Sequence, residues 1–244
     1  MSESISVFFP AYNDSKTIGA LVEKTLAMLP AVTEDFEVIV VNDGSSDDTA
    51  SILECLRIAN PERLRIITHE KNRGYGGALR SGFAAATKDL VFYTDGDGQY
   101  DPIELTALVK KMTGRVGLVN GFKMWRCDPW HRVAVGWLYN RFARFIFGIR
   151  LRGIDCDFRL IRRSLLAEME LQSTSGTICV ELVKKLETCP FLVEEVGVSH
   201  YPRVHGRSQF FRLQSLAITF SQLLRLYFAI MIVPRVHRRN ARTA

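Results

Sequence analysis

Through the first half of the chain, short apolar runs that each end in a polar loop alternate with amphipathic segments, and few folds accept that pattern. Ile5–Phe9 stops at Pro10, and FEVIVVNDG, LRIIT and DLVFYTDGDGQ follow it. Between the first two runs, Ile18, Leu21, Val22, Thr25, Leu26 and Leu29 recur at helical spacing, which predicts a helix over residues 15–29. Asp14 or Ser15 stands where its cap belongs, and Pro30 stands where it must stop. A second helix is predicted over residues 48–59, and the turn NRGYGG leads into a third, ALRSGFAAAT. Strands that are apolar throughout need cover on both faces, so the reading is an α/β protein with a mainly parallel sheet between helices. In such sheets ligands bind beyond the carboxyl ends of the strands. Three of those ends carry PAYND, NDGSSDD and TDGDGQYD, all on one edge.

The second half reads as more helical. Residues 129–147 and 177–186 are predicted helices, and FLVEEVGVSHY is a predicted strand. No linker rich in Pro, Gly or Ser divides the 244 residues, and 47% of them are hydrophobic, enough to build one sizeable core. The expected division is a main α/β domain over 1–208 and an apolar helical segment over 209–244. Residues 209–233 are interrupted by Arg225 and closed by Pro234. A clean membrane span needs about 20 apolar residues without a central charge, so this stretch reads as a helix lying in a membrane interface. A core-packing or dimer helix is the other reading.

The net charge of +6 is unevenly spread. Between Lys123 and Arg163 ten basic residues face only Asp128, Asp155 and Asp157, and Arg235, Arg238, Arg239 and Arg242 follow near the end. That distribution suits phosphate groups, an acidic membrane surface or nucleic acid, against the plain reading of a solvated basic face. Trp125, Trp130 and Trp137 near the basic stretch fit stacking on bases or a membrane interface equally well. Five cysteines without C-x-x-C spacing argue against a zinc site and a disulfide framework. A reduced, cytosolic protein without a signal peptide is the expectation.

The strongest chemical signal is Asp95-Gly96-Asp97-Gly98-Gln99. Two carboxylates one residue apart at a strand end reach one hard cation, and Gln99 offers a further oxygen, a donor set suited to Mg²⁺ or Mn²⁺. Such a metal bridges phosphates and neutralises charge as a diphosphate leaves. A plain Asp-Gly turn is the competing reading; an EF-hand is not, since Gln99 and Tyr100 break its pattern. Asp43, after the second strand, is placed to accept hydrogen bonds from a base or ribose, while Ser46 or Asp47 caps the next helix. Gly74, Gly76 and Gly77 mimic a dinucleotide fingerprint, but Leu79 stands where its last glycine belongs and the turn follows the wrong strand. No P-loop motif is present.

In this order, FFPAYND, VVNDGSSDDT, NRGYGGALRSGF and YTDGDGQYDP resemble the nucleotide-binding half of family 2 glycosyltransferases, which have the glycosyltransferase-A fold. RCDPWHR, DCDFRLIRR and HYPRVHGRSQFF narrow the resemblance to the dolichol-phosphate mannose synthase group, enzymes that move a sugar from a nucleotide sugar to a polyprenyl phosphate. The resemblance implies that Pro10, Ala11, Tyr12, Asn13, Asp43, Gly44, Asn72 and Gly77 hold the donor nucleotide. It implies that Asp95, Gly96, Asp97 and Gln99 serve the metal and the diphosphate. Lys123 stands near the family's acceptor-phosphate arginine, Arg132 matches a second one, and Arg159 falls on its F-[RK] position. Arg203 and Ser208, in R-x-x-G-x-S, would reach the donor phosphates when a loop closes. The chain departs from the pattern at Gly153, where relatives often carry Asp, with Asp155 and Asp157 close by instead. It departs again at Gly136 and Gln209, where serine and lysine are expected.

A phosphate acceptor is already an anion and needs no general base, only a metal and cationic groups to offset repulsion. Asp97, Lys123, Arg132, Asp155, Asp157 and Arg159 are the expected catalytic set. The alternative is transfer to a glycan hydroxyl, with Asp155 or Asp157 removing the proton. A basic binding module without catalysis is the reading from outside the enzyme class. The expected partners are a nucleotide sugar, a polyprenyl phosphate and the cytoplasmic face of a membrane, touched peripherally, but not nucleic acid. A second copy or an anchor subunit is a further expectation.

Overall fold

A computed structural model describes residues 3–125, 130–203 and 213–232. Seven strands form one sheet: β1 (Ile5–Ala11), β2 (Phe36–Asn42), β3 (Leu64–Thr68), β4 (Leu90–Thr94), β5 (Val116–Lys123), β6 (Phe158–Arg162) and β7 (Leu192–Val198). Their order across the sheet is β3-β2-β1-β4-β6-β5-β7. All neighbours are parallel except β6, which runs antiparallel to both β4 and β5. The helices are α1 (Ile18–Met28), α2 (Thr49–Ala59), α3 (Tyr75–Ala85), α4 (Leu105–Lys111), α5 (Trp130–Phe147), α6 (Arg163–Ala167), α7 (Thr177–Glu187) and α8 (Leu213–Tyr227).

β1, β2 and β4 are buried along their whole length, which is why their sequences show no polar alternation. Alternate residues feed two cores. Val7, Phe9, Val38, Val40 and Phe92 pack on one face beneath α1, and Phe8, Ile39, Val41, Val91 and Tyr93 pack on the other with α3, α5 and α7. One charge inside the sheet is fully engaged. Glu37 of β2 accepts from Ser6 Oγ at 2.7 Å and from Thr87 N and Oγ1 at 2.8 and 2.7 Å, and Arg65 pairs with it at 2.9 Å.

Two strands of the second half were not anticipated. β5 carries Gly117, Asn120 and Gly121, and β6 opens with a charged residue at its second position. The cap of α1 also differs from expectation. The carboxylate of Asp14 turns back to accept from Tyr12 N at 2.9 Å, and it is the Asp14 carbonyl that takes the N–H groups of Thr17 and Ile18. At α2, Asp47 accepts from Thr49 N at 3.1 Å, as a capping side chain does.

The reversal of β6 decides what the sheet edge holds. Pairing of Thr94 with Phe158 and of Tyr93 with Arg159 brings the residues just before β6 to the edge where β4 ends. Asp155 and Asp157, distant in sequence from Asp95, thereby arrive at the same corner.

Candidate functional site

The loops after β1 and β2 are stitched together. Asn13, at φ +58°, donates its N–H to Ser45 Oγ at 3.0 Å and accepts from Ser46 N at 2.8 Å. Pro10 and Ala11 lie buried at the end of β1, with Tyr12 exposed beyond them. Gly44 sits at φ +70°, and a Cβ there would stand 2.8 Å from the backbone nitrogen of Asn72, so only glycine lets the two loops meet. Asn72 is exposed and accepts from Gly74 N at 3.0 Å, and Gly77 lies in the first turn of α3.

Asp43 is buried at the end of β2. Its Oδ1 accepts from Arg73 N at 2.8 Å and faces His69 Nδ1 at 2.6 Å, while His69 Nε2 lies 2.8 Å from Ser81 Oγ. With the proton on Nδ1, the ring donates to Asp43 and accepts from Ser81, which satisfies all three groups. Sequence spacing could not find His69, because it joins Asp43 only through the pairing of β2 with β3.

At the end of β4, Asp95 Oδ1 accepts from Tyr75 OH at 2.7 Å. Gly96 donates its N–H to the Pro10 carbonyl. Asp97 Oδ1 accepts from Gln99 N at 3.0 Å, and Asp97 Oδ2 forms an ion pair with Arg203, which also donates to Gln99 Oε1 at 3.3 Å. Gln99 Nε2 turns to the Tyr201 carbonyl at 3.1 Å. Burial raises the Asp95 carboxyl well above its ordinary value, and the nearby charges of Asp157 and Asp97 raise it further. Burial also raises Asp97, against the pull of Arg203. Asp14, not anticipated as part of this corner, is pushed up to about 6 by burial and then by Asp97.

Beside this acidic corner lie the residues of β5 and β6. Lys123, at the end of β5, pairs with Asp155 at 3.5 Å. Arg159 is wholly buried. It donates to Asn120 Oδ1 at 2.7 Å, Asp157 Oδ1 at 2.7 Å, the Ile154 carbonyl at 2.6 Å and the hydroxyl of Tyr93. Its guanidinium therefore fastens β4, β5 and the strand-entry loop, and it faces no solvent. Arg132 lies on α5, and its side chain is outside the described residues, as is all of Ser208.

The donor set fits a hard divalent cation. Asp95, Asp97 and Gln99 each bring an oxygen ligand, and the proton affinity of both carboxylates is raised, first by burial and, at Asp95, further by the neighbouring charges of Asp157 and Asp97. Arg203 supplies positive charge at that place in the structure. Among the described residues no three or more His, Cys, Asp or Glu side chains form a metal-binding group. Hard divalent cations of the Mg²⁺ type are commonly held by one or two carboxylates, with substrate phosphates and water completing the shell.

The family model for glycosyl transferase family 2 matches residues 6–169. The undecaprenyl-phosphate 4-deoxy-4-formamido-L-arabinose transferase of Enterobacter sp. (strain 638) is 29% identical over 206 residues, covering 84% of this chain and 62% of the relative. The transferase of the same name from Proteus mirabilis (strain HI4320) is 29% identical over 221 residues, covering 90% of this chain and 66% of its own. The chain thus spans somewhat less than two thirds of the length of these relatives. Among solved structures, glucosyl-3-phosphoglycerate synthase from Mycobacterium tuberculosis, in complex with Mn²⁺, uridine diphosphate and phosphoglyceric acid, superposes with a TM-score of 0.70. It is 20% identical, with 93% of this chain and 78% of that one covered. The same synthase with Mg²⁺ and uridine diphosphate gives 0.67 at 20% identity, with 93% and 79% covered. At that identity the likeness speaks for the fold, which is the one the sequence motifs led us to expect.

Proposed function

The chain belongs to glycosyl transferase family 2, and from that premise we propose that it moves a sugar from a nucleotide sugar, GDP-mannose or a UDP-hexose, to polyprenyl phosphate. One observation carries the reading: at a single sheet edge, the carboxylates of Asp95 and Asp97 stand beside the cations Lys123 and Arg203. A reaction between two anions needs both signs of charge in one place. The names of the relatives, which specify undecaprenyl phosphate, support the acceptor class.

Asp95, Asp97 and Gln99 would hold Mg²⁺ or Mn²⁺, which when bound neutralises the leaving diphosphate. Asp43, braced by His69 and the Arg73 amide, orients the nucleoside, with Tyr12, Asn13 and Gly44 shaping the neighbouring loops. Lys123 and Arg132 attract the acceptor phosphate, and Arg203 and Ser208 serve the donor phosphates. A phosphate oxygen attacks the anomeric carbon as its bond to the diphosphate breaks. The nucleoside diphosphate leaves with the electron pair, and the configuration inverts. No proton has to be removed from the acceptor. Transfer to a hydroxyl is the weaker reading, because Asp157 is committed to Arg159 and Cys179 and Asp155 to Lys123.

Two apolar stripes support docking on the cytoplasmic face of a membrane. On α5, Trp130, Trp137, Leu138, Phe142 and Phe145 are exposed, Trp130 and Phe145 to more than four fifths. On α8, Phe220 and Leu224 are exposed, and Phe228, directly after the helix, continues the four-residue spacing. Leaving such side chains in water forgoes about 1.5–3 kcal/mol each. Arg141 lies over the Trp137 ring at 5.8 Å, the aromatic-cation mix suited to an anionic interface. Among the described residues no helix is long and apolar enough to cross a membrane.

The test is direct. Purified protein, Mn²⁺, a panel of radiolabelled nucleotide sugars and a short polyprenyl phosphate should yield a lipid-linked sugar from one donor. That product should vanish in Asp97→Asn. No lipid-linked product from any donor would refute the proposal.

A further inference from the structure

We propose that Gln222 of α8 is a positioning residue for Asp95, acting through residues 173–175 and Tyr75. The inference rests on the metal-corner reading above and adds to it a residue far from that corner in sequence.

The chain of contacts is continuous. Gln222 Oε1 accepts from Thr174 N and Ser175 N, both at 3.1 Å, and from Ser175 Oγ at 2.9 Å. Its Nε2 donates to Thr174 Oγ1 at 2.7 Å. Four hydrogen bonds from one side chain thus pin this loop to α8. On its other side Glu181 of α7 accepts from Gln172 N at 3.0 Å and Ser173 N at 2.9 Å.

The loop so held presses on the glycine turn that opens α3. Thr174 O accepts from Gly76 N at 2.9 Å. Gly74 has φ +79°, and a Cβ on it would stand 2.6 Å from Thr174 O; a Cβ on Gly76 would collide with the Ser173 carbonyl. Two of the glycines that mimic a dinucleotide fingerprint, Gly74 and Gly76, are therefore required here by a protein backbone lying against them. Tyr75 stands between them, and its hydroxyl donates to Asp95 Oδ1. A shift of α8 moves the loop, the loop moves the turn, and the turn re-aims the tyrosine that holds the carboxylate. Partners of metal ligands set both orientation and affinity, and packed hydrogen-bonded chains of this kind carry coupling between distant sites.

The experiment is a double-mutant cycle on Mn²⁺ affinity, read from the electron paramagnetic resonance signal of free Mn²⁺ with the full chain and the metal alone. Tyr75→Phe should weaken binding about 10-fold, and Gln222→Leu about 3- to 10-fold. The double variant should be no weaker than the worse single variant within about 2-fold, because both changes cut the same chain. Gln222→Glu keeps the accepting oxygens and should bind like the wild type. Should Gln222→Leu fail to fold, Gln222→Asn, which keeps the amide but shortens its reach, takes its place with the same expectation. Wild-type affinity in a folded Gln222→Leu or Gln222→Asn, or effects that multiply in the double variant, would overturn the positioning role. A wild type that takes up no Mn²⁺ would instead overturn the metal-corner reading, and the positioning role with it.

Discussion

His69 belongs to no sequence motif, yet the fold sets it against Asp43. It is buried, and its ring bridges Asp43 and Ser81 through short contacts on both nitrogens. A carboxylate held by one amide and one ring presents its other oxygen in a fixed direction. Losing a hydrogen bond to a charged group costs about 1.5–3 kcal/mol, so His69→Leu should weaken nucleoside diphosphate binding by about 10-fold or more. His69→Asn, which restores a donor, should recover most of it. Calorimetric titration with UDP and GDP measures both, and unchanged affinity in the leucine variant would remove Asp43 from the nucleotide site. Asp43, Asp95 and Asp97 were legible in the sequence because each lies just past a strand that announces itself. His69, Tyr75 and Asp14 were not, because each reaches the site through strand pairing or a turn that brings separate segments together.

β5 and β6 also depend on contacts between segments distant in sequence. The first four strands were legible because unbroken apolar runs have no other stable use in a chain of this kind. β5 was hidden by small residues that its neighbours demand: a Cβ on Gly121 would stand 2.8 Å from the Phe158 carbonyl. β6 was hidden by Arg159, a charge that is tolerated in the core only because Asn120, Tyr93, Asp157 and a carbonyl satisfy it. Arg159→Leu leaves Asp157 short of its partner and should destabilise the fold by about 3–5 kcal/mol in chemical denaturation; a loss below about 1 kcal/mol would contradict the clamp. Glu37 gives a pH-dependent counterpart in β2. Burial works to raise its carboxyl, but hydrogen bonds from Thr87 and Ser6 outweigh that and hold it below the ordinary 4.5. A depressed carboxylate contributes stability that is complete above the unfolded value and lost as pH falls through the folded one. Glu37→Gln should therefore unfold at a lower temperature than wild type at pH 7, and the gap should close on acidification below about 4. A gap that does not change with pH would mean that the charge contributes nothing.

For the whole molecule, the reversed strand, the apolar stripes and the basic residues describe one chemical situation. Charges of both signs meet at a sheet edge, and aromatic side chains stand out from α5 and α8. Trp137→Glu with Phe145→Glu should lower co-sedimentation with anionic vesicles by about 10-fold or more, while changing thermal stability little, since both side chains are largely exposed. Equal vesicle binding would move the docking surface elsewhere. The central claim, that Asp95 and Asp97 grip a divalent cation that receives the donor diphosphate, is tested most directly by anomalous diffraction from crystals soaked with Mn²⁺ and a nucleoside diphosphate. The account predicts a manganese peak within coordination distance of oxygens of both carboxylates, with the diphosphate against it and Arg203 moved from Asp97 toward the phosphates. A diphosphate bound at this edge with no metal beside Asp95 and Asp97 would contradict it.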